Sequence, residues 1–358
     1  MAIEDRDSGE HMRKPGKALS YRDPRAAILA ALVALFGVSS ARANDSTAEL
    51  TTGGLVLAKT ADIEMRAEDL AVSEKEIDVR YRFFNHSAQD VTVTVAFPMP
   101  DVTLNGPDWN IAFPAPDSTN FLDFHTIADG REVQAQYEQK ALLDGVDISA
   151  RLKALGVPLA PQSDATSKVL DGLPRAEQDE LVKLDFATPY DDDVGQGWRH
   201  HVIPKWTFKS TFYWSQTFPA GKEIVVEHRY TPSVGGTVGT MLGSPNIDAK
   251  DLSNYQTLYC VDKDFLAGAK QAERLDASGS AQSPLYEKRI AYVLTTGANW
   301  AGPIGDFHLT VDKGAPDSLV SFCADGVKKI GPTLFEVRHA NFTPTRDLHV
   351  LILYRPKG

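Results

Sequence analysis

His200 and His201 follow closely on the acidic run Asp191-Asp192-Asp193, and imidazoles beside carboxylates are the ingredients of a metal site. On a strand, adjacent side chains point to opposite faces, so at most one of the two histidines can join a given site unless the segment is a loop. The run is acidic and Gly-flanked, which reads as a solvated loop with surface histidines, and no metal is expected there. Nucleophilic catalysis would need a strand-turn-helix G-x-S-x-G, an S-x-x-K on a helix, or a Cys paired with a His. None of these is present in a convincing context. The run Ser233-Val234-Gly235-Gly236-Thr237-Val238-Gly239 lacks the Lys-Ser/Thr of a phosphate loop, so its glycines are expected to serve a bulge or a close crossing.

Recognition is the other chemistry open to this composition. Trp109 and Trp300 lie in Gly/Pro-rich loops, where a large aromatic needs either a packing partner or a ligand, and packing is favoured. They are the binding candidates if a recognition surface exists. Trp206, Phe208, Phe212 and Trp214 share one face of a period-two stretch and are read as core. The chain of 358 residues carries a formal charge of −11 with no basic cluster outside its first 43 residues, which argues against nucleic acid. Its two cysteines, Cys260 and Cys323, have no zinc-like spacing, and an even count in an oxidising compartment points to one structural disulfide.

The elements that would position these residues are mainly β. Ile77, Val79, Tyr81 and Phe83 alternate with charged residues, and Val91, Val93, Val95 and Phe97 repeat the pattern. The Trp206–Trp214 stretch, the turn Pro219-Ala220-Gly221-Lys222 and the alternation of Ile224, Val226, His228 and Tyr230 predict a hairpin. Five further strands are expected between Arg289 and Tyr354. Helical spacing marks Asp147–Leu155, Ala176–Leu184 and Asp264–Leu275, with prolines breaking the first two apart. The resulting expectation is two β-sandwich-like domains: residues 44–250, carrying a helical insertion at about 140–197, and residues 251–358.

Residues 1–43 read as an export leader. Arg13, Lys14, Lys17, Arg22 and Arg25 precede an apolar run from Ala26 to Val38, and Ala41-Arg42-Ala43 supplies the small-residue cleavage pattern. The run falls short of the roughly 20 residues that cross a bilayer. Cleavage after Ala43 is expected, with Asn44 as the new N-terminus of a periplasmic protein that has no membrane span.

Phe84-Asn85, Phe97-Pro98-Met99-Pro100, Phe121, Asp129-Gly130-Arg131, Glu138 and Ala141 resemble the VIT domain that accompanies inter-alpha-trypsin inhibitor heavy chains. That resemblance implies strands ending in F-x-N and in an F-P-x-P corner, and a hairpin with an exposed D-G-R turn. VIT domains often precede a von Willebrand A domain, whose metal site begins D-x-S-x-S. Asp276-Ala277-Ser278-Gly279-Ser280 matches the string without the buried strand that must precede it, so it is read as a polar loop. Over nearly the whole chain after Ala43, the order of Phe97-Pro98-Met99-Pro100, Phe218-Pro219-Ala220-Gly221, Tyr230-Thr231-Pro232-Ser233-Val234-Gly235-Gly236 and Gly297-Ala298-Asn299-Trp300-Ala301-Gly302-Pro303 is similar to the bacterial exported family called domain of unknown function 4424. That resemblance brings no activity or catalytic residues.

The functional expectation is therefore a non-catalytic periplasmic binding or scaffold protein without a cofactor, its partner an unknown envelope protein or a glycan. The rival is a cell-envelope hydrolase using paired carboxylates, or a metal, near the acidic insertion.

Overall fold

Alternating apolar positions become buried strand faces throughout the chain. The structure, a computed structural model, describes residues 44–356 other than 53, 105–109, 194, 196, 245–246 and 276–284. Among the described residues the strands form sheets of eight, six, five and two. The eight-stranded sheet runs in the order Lys328–Lys329, Leu334–Phe342, Ile304–Asp312, Ile63–Val72, Ile77–Asn85, Glu223–Tyr230, His125–Ala128, Arg131–Val133. The six-stranded sheet runs Val146–Asp147, Gln136–Leu143, Thr207–Phe218, Val91–Pro98, Ser46–Thr51, Gly54–Ala58. Their apolar faces share one core, in which Phe83, Phe97, Phe208 and Phe218 are fully buried.

The segments on either side of Pro219-Ala220-Gly221-Lys222 do not form the expected hairpin. Thr207–Phe218 pairs with Gln136–Leu143 and Val91–Pro98 in one sheet, whereas Glu223–Tyr230 pairs with Ile77–Asn85 and His125–Ala128 in the other. The turn is a corner between sheets. Both segments carry bulky inward-facing residues, and opposed sheets let these meet face to face, as Trp214 does with His228 at 5.3 Å between ring centroids. Asn85 fixes the corner by donating from Nδ2 to the carbonyls of Phe218 at 2.8 Å and Gln89 at 2.9 Å. That explains the Asn of the Phe84-Asn85 motif.

The strands do not separate at residue 250 either. Ile304–Asp312 lies parallel to Ile63–Val72 in the middle of the eight-stranded sheet, and all described residues belong to one compact unit. Parallel neighbours need a long connection, and the intervening chain supplies it. Gly305 allows the close approach, because a Cβ there would stand 2.6 Å from the Arg66 carbonyl oxygen. The five-stranded sheet likewise mixes early and late chain: Leu319–Phe322, Leu348–Tyr354, Tyr286–Tyr292, Val234–Thr237, Ile111–Ala112. Leu348–Tyr354 is buried on both faces, with Val350 and Ile352 in the main core and Leu351 and Leu353 in a second cluster. Helices Ala249–Tyr259 and Lys263–Leu275 cover that second side.

Three helices, Ser149–Ala154, Asp164–Gly172 and Arg175–Lys183, lie between the adjacent strands Gln136–Leu143 and Thr207–Phe218. Leu152, Leu170 and Leu181 turn inward, and Trp206 donates its indole N–H to the Leu159 carbonyl at 2.7 Å, which fastens this excursion to the sheet.

Candidate functional site

The acidic run is a strand rather than a loop. Ala187–Asp193 pairs with Trp198–Pro204, so that Asp191 faces His200 and Tyr190 faces His201. His200 Nδ1 meets Asp191 Oδ1 at 2.5 Å, while His201 Nδ1 meets Asp171 at 2.8 Å and its Nε2 meets Asp192 at 3.2 Å. The two histidines thus serve opposite faces, as their adjacency requires. The hydrogen bond to Asp171 is the main influence raising the His201 pKa. An imidazole with a carboxylate at each nitrogen favours the doubly protonated cation, which has no lone pair for a metal. Among the described residues no group of three or more His, Cys, Asp or Glu side chains is arranged to hold a metal ion. Asp276–Ser280 and Trp109 lie outside the described residues.

Cys260 and Cys323 form a disulfide with their Cα atoms 5.0 Å apart. Cys260 ends helix Ala249–Tyr259 in the left-handed conformation, φ 53°, and Cys323 follows strand Leu319–Phe322. The bridge forms one wall of a cavity of about 430 Å³. Leu294, Leu309, Val337 and Leu348 give it an apolar floor, and Phe307, Phe342 and His339 form an aromatic side. Phe342 stacks on Phe307 at 4.5 Å and on His339 at 5.4 Å. Asp325, Thr345, Arg346 and Asp347 complete the lining. Arg346 is held in place, donating to the Thr257 carbonyl and approaching Cys260 Sγ at 3.8 Å. Asp347 Oδ1 accepts from the Leu294 N–H at 3.2 Å, the Thr295 N–H at 3.1 Å and the Thr295 hydroxyl at 2.7 Å.

The Leu294–Thr296 segment also contacts a buried polar cluster that sequence reasoning did not find. Asn44 and Asp45 are wholly enclosed. Asn44 donates from Nδ2 to Glu68 Oε2 at 3.0 Å and to the Leu294 carbonyl at 3.3 Å, and its own carbonyl accepts from the Thr296 hydroxyl at 2.6 Å. Asp45 Oδ1 meets His228 Nε2 at 3.0 Å, and His228 Nδ1 meets the Thr126 hydroxyl at 3.1 Å. Tyr292 joins Tyr81 at 2.9 Å and Glu68 Oε1 at 3.4 Å. Burial pushes the Glu68 carboxyl up to about 8 and raises that of Asp45, with His228 opposing the latter.

Trp300, one of the two aromatic candidates for binding, belongs to this interior. It is 3% exposed, and its indole N–H donates to the Asp45 carbonyl at 2.6 Å. Gly297 gives the approach its clearance, since a Cβ would lie 2.7 Å from Asn44 Nδ2. The Gly297–Pro303 motif therefore builds a receptacle for Asn44 and Asp45.

The family model for the domain of unknown function DUF4424 matches residues 43–351. The chain belongs to this DUF4424 family. Its matched region begins beside Asn44 and takes in both the buried cluster and the cavity. A search of the curated proteins finds no match. Among solved structures, the DUF4424 chain is similar to a Legionella pneumophila protein described as "a putative nutrient binding protein". The two share 16% identity with a TM-score of 0.42, over 87% of this chain and 70% of that one.

Proposed function

We propose that this DUF4424 protein is an exported, non-catalytic binding protein of the periplasm, and that the cavity beside Cys260–Cys323 holds a small ligand with an apolar body and an anionic end. The observation that carries the reading is the combination of stacked Phe307, Phe342 and His339 with a fixed guanidinium at Arg346 in about 430 Å³. Small-molecule sites typically occupy about 300–1,000 Å³, mostly apolar with a few placed polar groups. The leader pattern of residues 13–43 and the disulfide support an oxidising, extracytoplasmic setting. The D-G-R turn, with Asp129 and Gly130 at positive φ between His125–Ala128 and Arg131–Val133, supports the likeness of the N-terminal part to a VIT domain.

The hydrolase alternative has one observation in its favour, the presence of Asp325 and Asp347 in the same lining. Asp347 spends one oxygen on three donors, a role that anchors the Leu294–Thr295 backbone.

The test is a fluorescence titration with 1-anilinonaphthalene-8-sulfonate, an apolar anion, followed by native mass spectrometry of protein purified from periplasm. Saturable binding near one equivalent is expected, abolished by Thr345→Trp, which fills the cavity from an exposed position. Absence of saturable binding, together with absence of any retained small molecule, would reject the reading.

A further inference from the structure

The buried cluster around Asn44 holds more anionic than cationic capacity. Asp45 and Glu68 are its carboxylates, both entirely out of water, and His228 is committed to Asp45. The other titratable groups facing them are phenols, Tyr81 and Tyr292, and among the described residues no lysine or arginine belongs to the cluster's hydrogen bonds. Two acceptors, Asn44 Oδ1 and Asp45 Oδ2, have no hydrogen-bond partner among the described residues. An unpaired buried acceptor has lost its hydrogen bonds to water without a replacement, which destabilises the fold. Among the described residues, the cluster has no ammonium or guanidinium to meet these acceptors.

The Ala43–Asn44 bond is where the leader is expected to be cut. Hydrolysis adds water across that amide, leaving a carboxylate on Ala43 and an α-ammonium with three N–H donors on Asn44. Asn44 has no exposed surface, and its side chain and carbonyl are bonded to Glu68, Leu294 and Thr296. We infer that the α-ammonium freed on Asn44 is itself a ligand of the folded protein, seated in the interior against the Glu68 and Asp45 carboxylates and binding the Leu294–Trp300 segment to the sandwich. An α-amino group in water titrates near 8, so at neutral pH it enters as the cation the cluster lacks. The contacts already in place hold Asn44 from three sides: Glu68 from one strand, Leu294 and Thr296 from the turn, and Trp300 through Asp45. Leu294 also lines the cavity, so proteolytic maturation fixes the cavity wall. The inference rests on the leader reading and stands apart from what the cavity binds.

The experiment compares the chain beginning at Asn44 with the same chain retaining Arg42-Ala43, each released from a cleavable fusion, together with exported protein whose N-terminus is sequenced. Thermal melts at pH 7 should place the Asn44 form several degrees above the extended form, and Glu68→Gln, which preserves shape, should remove most of that difference. Acetylation of the α-amine with an amine-reactive reagent, located by mass spectrometry, should be at least tenfold slower in the native Asn44 form than in urea. Equal melting temperatures, an α-amine labelled as fast as in the unfolded chain, or an exported N-terminus other than Asn44 would each overturn the inference. The labelling arm uses the unsubstituted chain, so it decides even if a variant fails to fold.

Discussion

Asp45 and His228 meet at 3.0 Å with neither side chain reaching water, although 183 residues separate them in sequence. The pair joins the first described residues to the strand Glu223–Tyr230 through the middle of the core. Burial alone would drive a proton onto Asp45, and His228 opposes that. His228→Ala should therefore strand a buried carboxyl and lower the free energy of unfolding by about 3–5 kcal/mol. Urea denaturation checks it. A midpoint within error of the parent would mean that the pair contributes no net stability.

Glu68 predicts a pH dependence for the chain that still carries residues before Asn44. Its carboxyl is raised to about 8 in the folded state, against an ordinary value near 4.5, so the fold binds a proton that the unfolded chain releases. Stability from this group is fully present below the ordinary value and is lost as pH climbs through about 8. Thermal melts of the extended chain should fall between pH 5 and pH 8, and Glu68→Gln should flatten that slope. Asp45, whose carboxyl is also raised, acts in the same direction at the lower end.

Trp214→Ala should destabilise by roughly 3–5 kcal/mol, because the side chain is buried against His228 in the main core. Trp214→Phe should cost much less. The indole N–H of Trp214 has no hydrogen-bond partner among the described residues, so its removal forfeits none of their hydrogen bonds. The two urea midpoints separate packing from hydrogen bonding at this position.

The Cys260–Cys323 bridge closes a 63-residue separation, for which the chain-entropy model gives about 4 kcal/mol. Thiol counting in denaturant without reductant should find no free thiols. Cys323→Ser should lower the urea midpoint, and it should also weaken probe binding in the adjacent cavity. Loss of stability with unchanged binding would show that the bridge does not shape the cavity wall.

Chelation should leave the melting temperature unchanged, and elemental analysis should find no stoichiometric metal, because His201 already has a carboxylate at each ring nitrogen. One tightly held metal per chain, lost on His201→Ala, would move metal-assisted hydrolysis to first place.

Much of the strand content was readable because period-two alternation reports one buried face. Leu319–Phe322 and Leu348–Tyr354 have the bounds their patterns indicate, and Trp206, Phe208, Phe212 and Trp214 all face the core. Alternation does not say which strand lies alongside which. Thr207–Phe218 and Glu223–Tyr230 have the pattern of a hairpin and lie in opposite sheets, since a short Pro-Gly turn serves a corner as well as a hairpin. The same gap hid the parallel partner of Ile63–Val72. The site was less legible still. Asn44 and Asp45 are small and polar beside an expected cleavage point, so nothing local marks them as core, and Glu68 sits among charged residues. The one available signal was the Gly297-Ala298-Asn299-Trp300 motif, whose glycine and indole turn out to be shaped around those two residues.

The parallel pairing of Ile63–Val72 with Ile304–Asp312 also sets an order in time. Asp69 and His308, hydrogen-bonded at 2.8 Å across it, are 239 residues apart, so the chain is nearly all made before the central sheet can close. Loops of that length are slow to close, and pairing across them delays folding. Until then Ile63–Val72 keeps an open edge, available to any strand that reaches it first. A chain built this way remains threadable long after its N-terminal segment has emerged, and a fragment ending near residue 250 would hold that edge open permanently.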